Sequence, residues 1–93
     1  MTIGLLQLEL RFTQTCSLKD KRSILRRVKN HIRKNYNVSL AEIDHQDRWG
    51  GARIGVTCIS SESKIVHQTL QKVESAFASY VGIEIADRKL EML

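Results

Sequence analysis

The sequence predicts an α+β protein in which two helices cover one face of a four-stranded antiparallel sheet. Segments with an apolar residue at every second position alternate with two segments in which apolar residues recur every three or four positions. Their order is strand, helix, strand, strand, helix, strand, which is the ferredoxin-like βαββαβ pattern of a two-layer sandwich. Right-handed crossovers then give the strand order 4-1-3-2, and the length predicts a single domain over residues 1–93.

The first half of the chain carries the most regular patterns. Residues 2–12 alternate between mostly leucines and polar residues, which is typical of a strand with one buried face. Ser17 is the predicted N-cap of the following helix, and Asp20 takes the place of the glutamate in a capping box. Apolar residues then recur at helical steps as far as Tyr36, and Asn37 is expected to adopt the left-handed conformation that ends helices.

The second half repeats this order with less regular strands. The predicted elements are strands at 38–44, 53–59 and 83–90, a turn or bulge at 45–51, and a helix from the 60–63 cap region to Tyr80. Gly82 is expected to stop that helix. The more polar second and fourth strands become sheet edges, and Ile3, Leu5 and Ile59 face the uncovered side of the sheet, where a partner or a second copy is expected.

Bulk composition limits the class of protein. The chain has no proline, two cysteines without metal-ligand spacing, and no apolar run long enough for a membrane span. We expect no signal peptide, no Cys16–Cys58 disulfide, no membrane partner and a cytoplasmic location. A net charge of +5 and a pI near 9.6 favour an anionic partner, for which nucleic acid is the commonest candidate.

The positive charge is concentrated in one segment. Residues 17–36 hold eight Lys or Arg and one Asp, a formal charge of +7 against a total of +5, so the remainder sums to −2. A helical projection places five of these cations on one flank, in a line about 20 Å long. This cation row consists of Lys19, Arg22, Arg26, Lys29 and Arg33. It fits a run of phosphates, and the competing interpretation is a solvated face without a ligand.

The start of the same helix is a second candidate anion site. Its side chains lie near the free N–H groups of the first turn, where the helix dipole favours anions, and belong to Ser17, Lys19, Lys21 and Arg22. The complete set of predicted nucleic-acid- or anion-binding residues is Ser17, Lys19, Lys21, Arg22, Arg26, Lys29 and Arg33. The alternative is that Asp44, Asp47 or a C-terminal carboxylate neutralises this end of the helix.

The segment Asp44-His45-Gln46-Asp47 contains metal-ligating and acid–base residue types. In an extended conformation Asp44 faces away from His45 and Asp47, so the three side chains do not converge. No Gly-rich phosphate loop, Ser/His/Asp arrangement or paired-carboxylate motif is present. We predict no catalytic residue, no metal and no cofactor, and favour a polar structural network for this segment.

Trp49 is the sole tryptophan and has two interpretations. A nucleic-acid base could stack on it, or it could cover the core or a subunit interface. RNA-recognition motifs of this topology stack bases on aromatic residues of the first and third strands. No aromatic residue occupies the outward positions of those strands here, so any RNA contact is expected from the first helix.

Three motifs give the chain a resemblance to a known family. They read G-L-L-Q-L-E-L, S-L-K-D-K-R-S-I-L and N-V-S-L-A-E-I-D-H-Q-D-R-W. Over essentially its whole length the chain resembles the bacterial YlxP-like family, whose function is unknown. The resemblance implies a dimeric ferredoxin-like domain encoded beside genes for transcription, translation initiation and ribosome maturation. It implies no catalytic residues, and the matching positions are 17–22, 44–47 and 49.

These features together predict a small RNA- or ribosome-associated protein that contacts phosphates through its basic first helix. The alternative is a homodimeric interaction module that docks an acidic protein. The least favoured hypothesis is an enzyme or metal protein built on Asp44, His45 and Asp47.

Overall fold

A computed structural model describes all 93 residues and places the elements in the predicted order. The strands are β1 Thr2–Phe12, β2 Ser39–Asp44, β3 Gly51–Ser60 and β4 Ile83–Met92, and the helices are α1 Leu18–Asn35 and α2 Ser63–Ala78. The four strands form one antiparallel sheet in the order β2-β3-β1-β4. This is the predicted order counted from the opposite edge, so the ferredoxin-like fold class is confirmed.

The core lies between the sheet and the two helices. The even-numbered positions of β1 and β3 point into it, and Leu6, Leu8 and Ile54 have no exposed surface. Each helix buries four side chains at steps of four, three and four residues. They are Lys21, Leu25, Val28 and Ile32 in α1, and Val66, Leu70, Val73 and Phe77 in α2. Helical periodicity therefore positions both helices on the same face of the sheet.

The close approach of α2 to the sheet depends on Gly4. A Cβ atom at this position would lie 2.6 Å from Cγ1 of Val66 and 2.7 Å from Cδ1 of Leu70. Atoms cannot sit that close without a shift of the helix or of both side chains. Gly4 thus sets the distance between β1 and α2.

The N-terminus of α1 is capped as predicted, and its C-terminus requires a correction. Ser17 Oγ accepts a hydrogen bond from the Asp20 N–H at 3.1 Å, and Asp20 Oδ2 accepts one from the Cys16 N–H at 3.1 Å. Tyr36 is the C-cap, with extended backbone. The predicted left-handed Asn37 is wrong, because the residues with positive φ are His45 and Gly82. The helix α2 ends at Ala78 with Ser79 as its C-cap, two residues before the predicted Tyr80. Gly82, with a φ of +88°, lies in the turn before β4 and does not itself end the helix.

The sheet face turned away from the helices is uncovered. Ile43 and Ile59 expose 47% and 54% of their surface there, and Ile3 and Leu5 are half-buried. Its charged residues pair with one another across neighbouring strands, for example Arg53 with Glu9 at 3.0 Å. Neither α1 nor α2 has the combination of length and apolar character that crossing a bilayer requires.

Candidate anion-binding site

The cation row follows the flank of α1 that faces the edge strand β2. Its last four members border a groove of about 260 Å³ between this helix and the strand, together with Leu25, Asn30 and Glu42. Lys19, the first member, is exposed one turn earlier. Lys29 is half-buried and the other members are exposed. The helix therefore presents about one cation per turn along the side of the groove.

The row has no acidic partners. Salt bridges elsewhere in the protein use Arg11, Lys21, His45, Arg53, Arg88 and Lys89, and none includes a member of the row. The carboxylate that borders the groove, Glu42, is paired with Lys21. Cations three and four residues apart on a helix repel one another. The folded protein thus maintains an uncompensated line of positive charge, which an external anion would neutralise.

Lys21 differs from its neighbours because its side chain is completely buried. Its Nζ lies 2.7 Å from Glu42 Oε2 and donates a hydrogen bond of 2.7 Å to the carbonyl oxygen of His45. Charges are buried in proteins when they are paired and hydrogen-bonded, and the Lys21 ammonium group meets both conditions. Glu42 Oε2 has the ion pair but no hydrogen bond. Lys21 therefore joins α1 to β2 and to the segment after β2, and its ammonium group is not available to an external anion.

The first turn of α1 is also occupied by internal partners. Ser17 is the N-cap acceptor, and the Asp20 carboxylate brings negative charge to the positive end of the helix dipole. Of the residues of the predicted pocket, Ser17 and Lys21 therefore have internal partners. The side chains of Lys19 and Arg22 are exposed and take part in no salt bridge. Neutralisation by a carboxylate was the stated alternative, but the carboxylates are Asp20 and Glu42, not Asp44, Asp47 or a C-terminal group.

A signal in the sequence could have located the buried pair. Lys21 lies four residues before Leu25 and seven before Val28, so it continues the apolar stripe of the helix. Glu42 lies two residues after Leu40 and therefore shares its inward face of the strand. A lysine and a glutamate at facing core positions predict a buried ion pair.

The carbonyl groups of β2 beside the groove already have donors. Arg33 Nη2 donates to the carbonyl of Leu40 at 3.0 Å, and Gln46 Nε2 donates to the carbonyl of Glu42 at 3.4 Å. A peptide strand that paired with this edge through these carbonyls would displace both side chains. The groove is therefore better suited to an anion that contacts the side chains than to an added acidic strand.

The segment after β2 does not form a metal site. His45 Nε2 lies 2.7 Å from Glu9 Oε1, and its ring Nδ1 is 3.9 Å from Asp44 Oδ1. No group of three or more His, Cys, Asp or Glu side chains is arranged to hold a metal ion. His45 instead takes part in a polar network with Glu9 and Arg53, which continues to Gln7.

Sequence comparison identifies the family of this chain. The model of the family described as "Protein of unknown function (DUF503)" matches residues 3–90. The chain belongs to this family. The uncharacterized protein YlxP of Bacillus subtilis (strain 168) is 33% identical to this DUF503 chain over 82 residues, which cover 88% of this chain and 89% of YlxP. The resemblance to the YlxP-like family is thus confirmed.

One solved structure shares the fold of this DUF503 chain. A putative chlorite dismutase superposes with a TM-score of 0.53 at 9% identity, over 99% of this chain and 44% of the other. The chain spans less than half of that protein, and at this identity the match shows the fold alone. The designed protein Ferredog-Diesel is 20% identical, with a TM-score of 0.45 over 98% of this chain and 84% of the design.

Proposed function

We propose that this DUF503 protein binds RNA through the cation row of α1. The observation that supports the proposal is a line of five cations, none of which has a carboxylate partner. Phosphates placed along the helix would each meet a Lys or Arg side chain, and the counterions they release would drive binding. Three of the five are arginines, which can donate two parallel hydrogen bonds to one phosphate.

The ribosome is the proposed location of this RNA. This part of the proposal rests on the resemblance to the YlxP-like family, whose members are encoded beside genes for translation initiation and ribosome maturation. The proposed location is the cytoplasm. Cys16 and Cys58 are both free thiols, and the reducing cytosol keeps thiols in this state.

Salt dependence and charge reversal test the RNA proposal. If about four phosphates of a single strand are neutralised, log affinity should fall against log salt concentration with a slope of about −3. The variant R22E/R26E/K29E should lose binding with an unchanged circular dichroism spectrum. The control K64E/K72E changes two exposed lysines of α2 and should retain the wild-type affinity. Undiminished binding by the first variant, or equal loss in both, would contradict the proposal.

A homodimer that docks an acidic protein through the same row is the second candidate. The uncovered sheet face favours the dimer, because exposed Ile43 and Ile59 lie beside charges that are already paired, such as Lys89 with Glu91. A second copy would meet no net repulsion on that face. Two helix layers placed together would repel, since each carries the cation row.

Sedimentation and co-purification test the second candidate. The wild-type mass should correspond to two chains, and Ile59→Lys, which places a charge in the apolar patch, should give one chain. A wild-type mass of one chain at micromolar concentration refutes the dimer. Material that co-purifies with the protein distinguishes the ligands: nuclease removes an RNA, whereas a stoichiometric acidic protein remains bound.

A further inference from the structure

Trp49 is a large aromatic residue that the core does not use. Its surface is 52% exposed, and phosphate binding by the cation row does not involve it. The residue lies in the 45–50 loop, which connects β2 to β3. An exposed indole is costly in water unless it packs against a ligand or a partner. The surroundings of the loop indicate which of the two it meets.

The backbone around Trp49 is fixed although its side chain is exposed. The hydroxyl of Thr15, a residue with 6% of its surface exposed, donates to the Trp49 carbonyl at 2.8 Å. The Phe12 N–H donates to the Gly50 carbonyl at 3.0 Å, and the Arg48 N–H to the His45 carbonyl at 3.0 Å. These bonds fix the backbone from which the indole projects.

His45, at the start of the same loop, is held in a strained conformation. Its φ is +67°, and it is the one residue other than glycine with a positive φ. Three elements hold it there: Lys21 of α1 binds its carbonyl, Glu9 of β1 contacts its ring, and Asp44 of β2 accepts from its N–H at 2.8 Å. Strain that several contacts maintain is characteristic of segments with a functional geometry.

A cleft of about 480 Å³ lies beside the indole. Its lining includes Trp49, Arg48, Asp47, Arg11, Glu9 and Ala86. The cleft thus combines an aromatic surface with hydrogen-bond donors and acceptors of both charges. Stacking on an aromatic ring together with polar contacts at the edge is how proteins bind unpaired bases.

We propose that Trp49 stacks an unpaired base of the RNA whose phosphates follow the cation row. The proposal rests on the RNA-binding function above and specifies single-stranded RNA, because bases within a duplex have no free face. The loop lies next to the start of the row: Thr15, which binds the Trp49 carbonyl, is four residues before Lys19, and Lys21 binds the His45 carbonyl. An RNA strand that contacts both would pass from the flank of α1 around this loop to the sheet face on which Glu9 and Arg11 of the cleft lie.

Fluorescence of the sole tryptophan tests this proposal directly. The probes are an oligouridylate and an abasic ribose-phosphate chain of the same length, each labelled so that anisotropy reports binding. Both should bind, because both present phosphates to the row, but only the oligouridylate should quench Trp49. Trp49→Ala should weaken oligouridylate binding about tenfold and leave binding of the abasic chain unchanged. Trp49→Phe, which keeps an aromatic face, should retain most of the affinity.

The outcomes separate the two proposals. If both probes bind but the emission is unchanged, or if Trp49→Ala binds oligouridylate like the wild type, base stacking is refuted and phosphate binding stands. If neither probe binds the wild type, both proposals are refuted. A third outcome concerns the protein without RNA. If Trp49 emission per chain falls as the protein concentration rises and the mass doubles, Trp49 lies in a subunit interface, and base stacking is also refuted.

Discussion

The two helices occupy corresponding places in the βαββαβ repeat but have different surfaces. Each covers the same face of the sheet and buries four side chains at identical spacing. In α2 all four are apolar, whereas the first of the four in α1 is Lys21. The segment that forms α1 carries a formal charge of +7, while α2 contains two lysines and Glu74, which pairs with Arg88.

This difference separates structural from functional requirements. α2 has what packing alone requires: an apolar stripe and a glycine in the facing strand. α1 keeps a buried ion pair and a row of repelling cations, both of which are unfavourable unless something else selects them. Since the two helices solve the same packing problem, packing does not account for the additional charge of α1, and the RNA proposal rests on that excess.

The largest effect is expected when the core lysine of α1 is made apolar, as the matching Val66 of α2 already is. Lys21→Met leaves the largely buried Glu42 carboxylate without its cation, and loss of one partner of a buried pair typically costs about 3–5 kcal/mol. The free energy of unfolding in urea measures this loss. The control Lys19→Met alters an exposed cation and should change it by less than about 0.5 kcal/mol.

The double variant K21M/E42L keeps this comparison informative. It replaces both charges by apolar groups, so no carboxylate is left unpaired, and most of the lost stability should return. If the double variant is as unstable as Lys21→Met, or if Lys21→Met unfolds like the wild type, the ion pair does not hold α1 to β2.

A smaller effect is expected where α2 contacts the sheet. Gly4→Ala introduces a methyl group within 2.6 Å of the Val66 side chain, and such overpacking typically costs about 1–3 kcal/mol. Thermal unfolding measures the change. The control Gly50→Ala adds a methyl group that meets no atom within 4 Å, and its stability should remain near that of the wild type. Equal stability of the two variants would show that α2 moves to accommodate the methyl group.

The smallest effect distinguishes the two helix N-termini. Ser17→Ala removes the side-chain cap of α1 and should lower the free energy of unfolding by about 1 kcal/mol. Glu62, the N-cap of α2, makes no side-chain cap bond, so Glu62→Ala should change stability by less than about 0.5 kcal/mol. A larger loss in the α2 variant than in the α1 variant would contradict this assignment of the caps.

The fold was predictable because its determinants are local. Apolar and polar residues alternate in residues 2–12, and apolar residues recur every three or four positions in both helices. These patterns specify the two layers, and the right-handed crossover rule specifies the order of the strands. Asn37 was wrongly predicted to be left-handed, because asparagine adopts this conformation at helix ends only as a statistical preference. The actual positive φ at His45 depends on contacts with Lys21, Glu9 and Asp44, which come from three elements.

The candidate site was predictable only in part. A helical projection gave the cation row because the side chains of one helix are related by simple rotation. The availability of each cation depends on its neighbours in space, so the sequence did not separate Arg22 from Lys21. Likewise, Arg33 donates a hydrogen bond to the Leu40 carbonyl because β2 packs beside α1. The sequence does not show how close the strand and the helix lie.

The unpaired cations of α1 make the protein respond to salt in two opposite directions. In the free chain, added ions screen the repulsion within the row, so higher ionic strength should stabilise the fold. In the proposed complex the same ions return to the phosphates and weaken binding. High ionic strength should therefore stabilise the purified protein and also release its ligand. An RNA should remain bound during purification only when the cells are opened at low ionic strength.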